Sequence, residues 1–292
     1  MLNTNLQLRA IFIALLFSAA FLAPLTAPHA SPLGLRAPTE NTLRAPAQKT
    51  DQKPVSYPQE TQDRIQKADQ CLKNRGNPAE LDEGLKLLRA LHQQYPSDRD
   101  IGWKLAMATY SVGFKMPPER KEERKNLFEE GRNAGLKATV TDPNCAACHF
   151  WTAINHVLLG SEQGIFSSVS GLKKVREHAR RVIELDEGYA YGGAHRLLAQ
   201  IDRALPGVLG GSNSRAKEHF ESAIRVAPDE PMNYYELSRL LANELKEPLK
   251  ALEIAKKGLN AGPLSPERIE GLETQKLLLQ WIPELEKRIQ TK

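Results

Sequence analysis

Cys145-Ala-Ala-Cys148-His149 is the one place in the chain where rare, reactive residue types stand in register. Two thiols three residues apart can close a disulfide or remain a dithiol. In an exported protein the same C-x-x-C-H spacing is also the attachment signature of a c-type haem, with the cysteines as thioether donors and His149 as the iron ligand. A third use is a metal site shared by His149 and His156, which lie seven residues apart on one helix face, although zinc would require further ligands. With only three cysteines in 292 residues, the chain is not a disulfide scaffold. Cys71, the third, reads as a small buried hydrophobe.

A second group has the chemistry to hold a ligand or partner. Trp103, Tyr110, Trp151 and Tyr191 are aromatic, and Arg196 and Arg203 are seven apart on one helix face. On a concave surface they would grip a carboxylate or a partner's acidic side chain. For Arg196 the alternative is a structural guanidinium bonded to loop carbonyls or to Asp186. The glycines of Gly207-Val-Leu-Gly210-Gly211-Ser-Asn-Ser214 suggest a phosphate loop, but the Gly-Lys-Ser/Thr ending is missing and no strand precedes them. Ser212 or Asn213 reads instead as a helix cap. Neither Gly-x-Ser-x-Gly nor HExxH occurs, so no catalytic residues are assigned and the chain reads as a non-enzyme. The mixed-sign run from Glu119 to Lys125 reads as a solvated helix face.

The elements that must carry these residues are helices. Apolar residues recur at three- and four-residue steps, as in Leu81, Leu85, Leu88 and Leu91, or Ala190, Ala194, Leu197 and Ile201. Aligning the turns exposes a repeat with the tetratricopeptide (TPR) spacing: a small residue, a bulky one four later, a small one three later, and Pro five later. Ala216, Phe220, Ala223 and Pro228 follow it, and Ala251, Ala255, Gly258 and Pro263 follow it 35 residues on. Gly84, Leu88, Leu91 and Pro96 form an earlier copy. Val175, Ala179, Val182 and Glu187 form another, with an insertion of about seven residues around Leu205–Gly211 before the next. First helices fit at Trp103, Ala106 and Tyr110, and partly at Trp151 and at Tyr234, Leu237 and Leu241. The expectation is an all-α stack of about five helix pairs, a TPR-like α-solenoid. Each pair must stack on a neighbour to bury its apolar face.

Ahead of that domain, residues 1–30 have the layout of a secretory signal peptide. Arg9 precedes an apolar run, and small residues flank a cut after Ala30. Residues 31–58 carry five prolines among polar residues and read as a disordered tether. Residues 59–292 form the repeat domain. With Lys+Arg 40 against Asp+Glu 35, the chain is too weakly basic to suggest a nucleic-acid partner.

Within the repeat, the run from Asp186 to Pro231 resembles the TRAP transporter T-component (TatT) family. The resemblance is carried by Asp186 with Tyr189, Gly192-Gly193 with Arg196, Pro206 with Gly210-Gly211, and Ala216-Phe220-Ala223-Pro228. It implies an all-α, TPR-like periplasmic protein that assists solute uptake with a solute-binding component. The family is often lipid-anchored, and no cysteine stands near the cut here. Membrane contact is therefore expected only through an uncleaved signal, while self-association is left open. The resemblance implies no cofactor. A monohaem c-type cytochrome on a helical scaffold is the alternative function, through Cys145, Cys148 and His149.

Overall fold

The computed structural model describes residues 56–163, 169–262, 264–265 and 268–291. The expected signal peptide and nearly all of the tether lie outside them. Tyr57, assigned to the end of the tether, is docked: its ring meets Tyr95 edge-on at 5.3 Å and its hydroxyl donates to Asp98.

Among the described residues the chain forms eleven α-helices and no strand. They are α1 (Gln59–Lys73), α2 (Pro78–Gln94), α3 (Arg99–Lys115), α4 (Lys121–Thr141), α5 (Ala146–Gln163), α6 (Val169–Leu185), α7 (Tyr189–Ala204), α8 (Asn213–Val226), α9 (Pro231–Asn243), α10 (Pro248–Leu259) and α11 (Ile269–Gln290). The starts follow local chemistry. Asn77, Asp98, Ser212 and Glu230 each accept from a backbone N–H of the first turn, and Pro78, Pro231 and Pro248 stand where a missing N–H costs nothing.

Each helix packs on the next, giving five pairs from α1/α2 to α9/α10, with α11 closing the stack. The odd-numbered helices also touch one another from α3 to α11, so they form the inner layer and the even-numbered helices the outer one. The repeat positions are the core: Ala216, Phe220, Ala223, Ala251, Ala255, Ala179 and Val182 have no exposed surface. Small residues let the helices approach, and Phe220 fills the groove they leave.

One reading of the sequence needs correction. Within Glu119–Lys125, Arg124 does not face solvent: it is 6% exposed and ion-pairs with the equally buried Glu162 at 2.7 Å. Its neighbours in the run remain on the surface, including the Arg120–Glu123 pair.

Candidate functional site

The site begins where α4 turns into α5. Asp142 ends α4, pairs with Arg99, and accepts from the Asn144 N–H at 2.9 Å. Cys145 and Cys148 then form a disulfide at the start of α5. Cys148 is completely buried, and Trp103, Trp151 and Tyr189 pack over the pair together with Ala138 and Ala147. His149 donates from Nε2 to the Pro143 carbonyl (3.0 Å) and meets His178 Nδ1 through its own Nδ1 (2.8 Å). The carbonyl fixes the His149 proton on Nε2, so His178 must be the donor between the rings. Burial first, and His149 second, push His178 down to about 4.

Haem attachment needs two free sulfurs facing a porphyrin and a histidine nitrogen free for iron. Here the sulfurs are bonded to each other, Cys148 is enclosed, and both His149 nitrogens are engaged, so this arrangement does not fit a covalent haem. His156 takes no part in this contact, and the described residues contain no cluster of three or more His, Cys, Asp or Glu arranged for a metal.

The second part lies at the start of α7. Ala190, Tyr191 and Gly192 have φ of 51°, 56° and 74°, so the true helix starts at Gly193. Three consecutive left-handed residues, two of them with side chains, cost on the order of 1–3 kcal/mol each for the non-glycines. Arg196 holds them. Its Nη1 donates to the Tyr191 carbonyl (2.5 Å) and to Asn233 Oδ1 (2.7 Å), and its Nη2 donates to the Ala190 carbonyl (2.9 Å). Asn233 in turn donates to the carbonyls of Ala223 and Ala227. Gly192 also has no room for a side chain, since a Cβ there would lie 3.0 Å from the Ala223 backbone. Asp186 Oδ1 accepts from the Gly188 N–H (3.1 Å), and the Tyr189 hydroxyl accepts from Trp151 Nε1 (3.1 Å).

Of the residues that carry the TatT resemblance, Gly192, Arg196 and Ala223 thus meet in this lock, while Asp186 and Tyr189 brace the turn before it. The loop element, past the other end of α7, is shaped by its own glycines. A Cβ on Gly211 would sit 1.7 Å from the Leu205 carbonyl oxygen, Gly210 is left-handed at φ 83°, and Pro206 precedes the short turn that leaves Val208 94% exposed.

The lock throws Tyr191 toward the inner layer, where the Arg268 guanidinium covers its ring at 4.1 Å. Arg268 is held by Asp229 and by Glu230 at 2.8 Å. Tyr110 of α3 packs against Trp151 (5.3 Å) and Phe114 (5.7 Å). Burial first, then the Glu270 carboxylate, raise the Tyr110 hydroxyl well above its usual range, against Arg75 and Arg196. Side chains of α3, α7 and α11 thus face one inner space. The turn after α1 closes it: Arg75 Nε donates to Glu270 at 2.9 Å, and Ile269 lies against Gly76.

Of the residues singled out from sequence, Tyr110, Trp151 and Trp103 come together, and Tyr191 joins Arg196 one helix further on. Arg196 is engaged by carbonyls, as its structural alternative anticipates. Arg203 is apart from them: it is buried between Glu236 (3.2 Å) and Glu244 (2.9 Å) against α9. Arg75, Arg268, Glu270 and Asn233 escape sequence reading. Asn233 sits two residues after the α9 proline, but the other three carry no local signal.

Stacked helix pairs with an inner aromatic and guanidinium face define an all-helical TPR-like repeat protein. The fold alignment agrees: a thermophilic TPR protein of Thermus thermophilus superposes with a TM-score of 0.51 at 16% identity, over 73% of this chain and 98% of that one. At that identity the likeness shows the fold alone. At the level of family, residues 145–247 match the TRAP transporter T-component, which bears out the resemblance read from Asp186–Pro231. Residues 64–192 match the family described as regulator of microtubule dynamics protein 1-3, a likeness the sequence reading does not anticipate. Regulator of microtubule dynamics protein 1 of Pongo abelii is 28% identical over 121 residues, which is 41% of this chain and 38% of that protein. The chain thus matches well under half the length of this relative.

Proposed function

We propose that this is an exported, non-enzymatic helical-repeat protein that holds a partner protein or a small solute on its inner face. By its likeness to T-components, it works beside the solute-binding component of a TRAP-type transporter in the periplasm. The observation that carries the reading is that the T-component match contains the Arg196 lock and supplies Trp151 and Tyr191 to the inner face. The signal-like residues 1–30 and the Cys145–Cys148 disulfide agree with an oxidising compartment. Among the described residues no helix is long and apolar enough to cross a membrane. A microtubule role is not carried over from the relatives matched at residues 64–192, because a cytoskeletal site would conflict with export.

The test is calorimetric titration of the full mature chain with the purified solute-binding component of its own organism's TRAP-type transporter. Saturable binding is expected, weakened roughly tenfold or more by Trp151→Ala and unchanged by Val140→Ser on the outer face of α4. No binding by the native chain would overturn the transporter reading, and equal weakening by both variants would overturn the inner-face site. The cytochrome alternative is settled on the same sample: a mass equal to the bare mature chain less two hydrogens excludes it, and an added haem mass restores it.

A further inference from the structure

We propose that the contact between His195 and His219 is an acid-sensitive latch on the left-handed turn at Ala190–Gly192, closed at neutral pH and opened when both rings are protonated. The two rings join α7 to α8 through their Nδ1 atoms, 3.0 Å apart. Glu187 Oε1 accepts from His195 Nε2 at 3.0 Å. That bond places the His195 proton on Nε2 and leaves its Nδ1 as the acceptor, so His219 is the donor. One added proton is accommodated, because on His219 Nε2 it leaves the Nδ1–H donor to His195 in place. A second puts an N–H on both facing nitrogens and breaks the contact.

The surrounding charges decide how readily this happens. From the turn before α7, Glu187 faces the pair, already held by Arg225 of α8 at 2.6 Å. From α7, Asp202 faces it, answered by Arg176 of α6 (2.7 Å) and Arg215 of α8 (3.2 Å). Glu218 is the remaining acidic neighbour, on α8. Burial lowers His219 first and His195 lowers it next; Asp202 and Glu218 oppose, and Arg176 adds to the lowering. A histidine lowered in the closed form stabilises that form fully above its ordinary value of 6.5, and the stabilisation is lost as pH falls below it.

The latch bears on the turn because its two anchors flank it. Glu187 precedes Ala190–Gly192 in the chain, and His195 follows. His219 lies one helical turn before Ala223, the residue against which Gly192 packs. Left-handed residues with side chains persist only while their surroundings over-determine them. Separating α7 from α8 removes the support under Gly192, and with it the placement of Tyr191 beneath Arg268. The His149–His178 pair is chemically alike but touches no left-handed residue, so it serves as an internal reference. The inference does not depend on what the inner face binds.

The test is hydrogen exchange read by mass spectrometry on the full mature chain, corrected for intrinsic rates, at about pH 7.5 and about pH 5.5. Amides 189–196 should lose protection roughly tenfold or more at the lower pH, beyond any loss over α9–α10. His219→Gln keeps a donor facing His195 Nδ1 but does not titrate, so this region should lose less than about twofold. Unchanged protection in the native chain would overturn the latch, as would an equal loss in His219→Gln. Should His219→Gln fail to fold by circular dichroism, the native-chain comparison still decides.

Discussion

The regular repeats α8–α10 and the α5–α7 region are built from the same hairpins but held by different chemistry. In α8–α10, Ala216, Phe220, Ala223, Ala251 and Ala255 form a fully buried seam at the repeat spacing, and the polar bonds beside it, from Asn233 to Ala223 and from Ser238 to Ala251, join helices of ordinary geometry. In α5–α7, the seam at Val175, Ala179 and Val182 is still present. Superimposed on it are a disulfide, a left-handed turn, a carbonyl-holding guanidinium and two histidine pairs. Apolar packing sets the scaffold wherever the period runs. Directional polar bonds take over where the backbone leaves its preferred conformation. That departure places Tyr191 on the inner face, so the strain belongs to the candidate site rather than to the scaffold.

Substitutions that break one region and spare the other sharpen this contrast. The largest effect is expected in the regular region. Phe220→Ala leaves a cavity between repeats and should lower unfolding free energy by about 3–5 kcal/mol, measured by urea denaturation. A loss under about 1 kcal/mol would mean the seam does not carry the stack. In the α5–α7 region, replacing Cys145 and Cys148 by serine removes a short closed loop and should cost about 2 kcal/mol. Its hydrogen-exchange changes should concentrate near residues 142–151 and leave α9–α10 unaltered. A uniform change along the stack would show that the disulfide supports the whole fold instead of the site.

The same contrast explains what could be read in advance. Five helix pairs, the insertion before α8 and the Ser212 cap follow from small–bulky spacing and turn residues, which are local. The outer helix α4 is harder to register. Counting back from Pro143, the bulky position falls on Gly135, and its space is taken by Thr152 of α5, whose Oγ1 would lie 2.3 Å from a Cβ there. Gly192 and Gly193 mark a special site, but positive φ at Ala190 and Tyr191 leaves no trace in residue type. Arg75 and Glu270 are 195 residues apart, and neither Arg268 over Tyr191 nor the histidine pairs obey a period. Polar contacts between distant segments are chosen residue by residue, so one sequence does not announce them.

The claim at the centre is that the inner layer is the binding surface. Its most direct test is the hydrogen-exchange footprint of the full mature chain with and without the solute-binding component. Protection is expected on α3, α5 and α7, centred on Tyr110, Trp151 and Tyr191, with the outer helices α2, α4, α6 and α8 unchanged. A footprint confined to those outer helices would contradict the account.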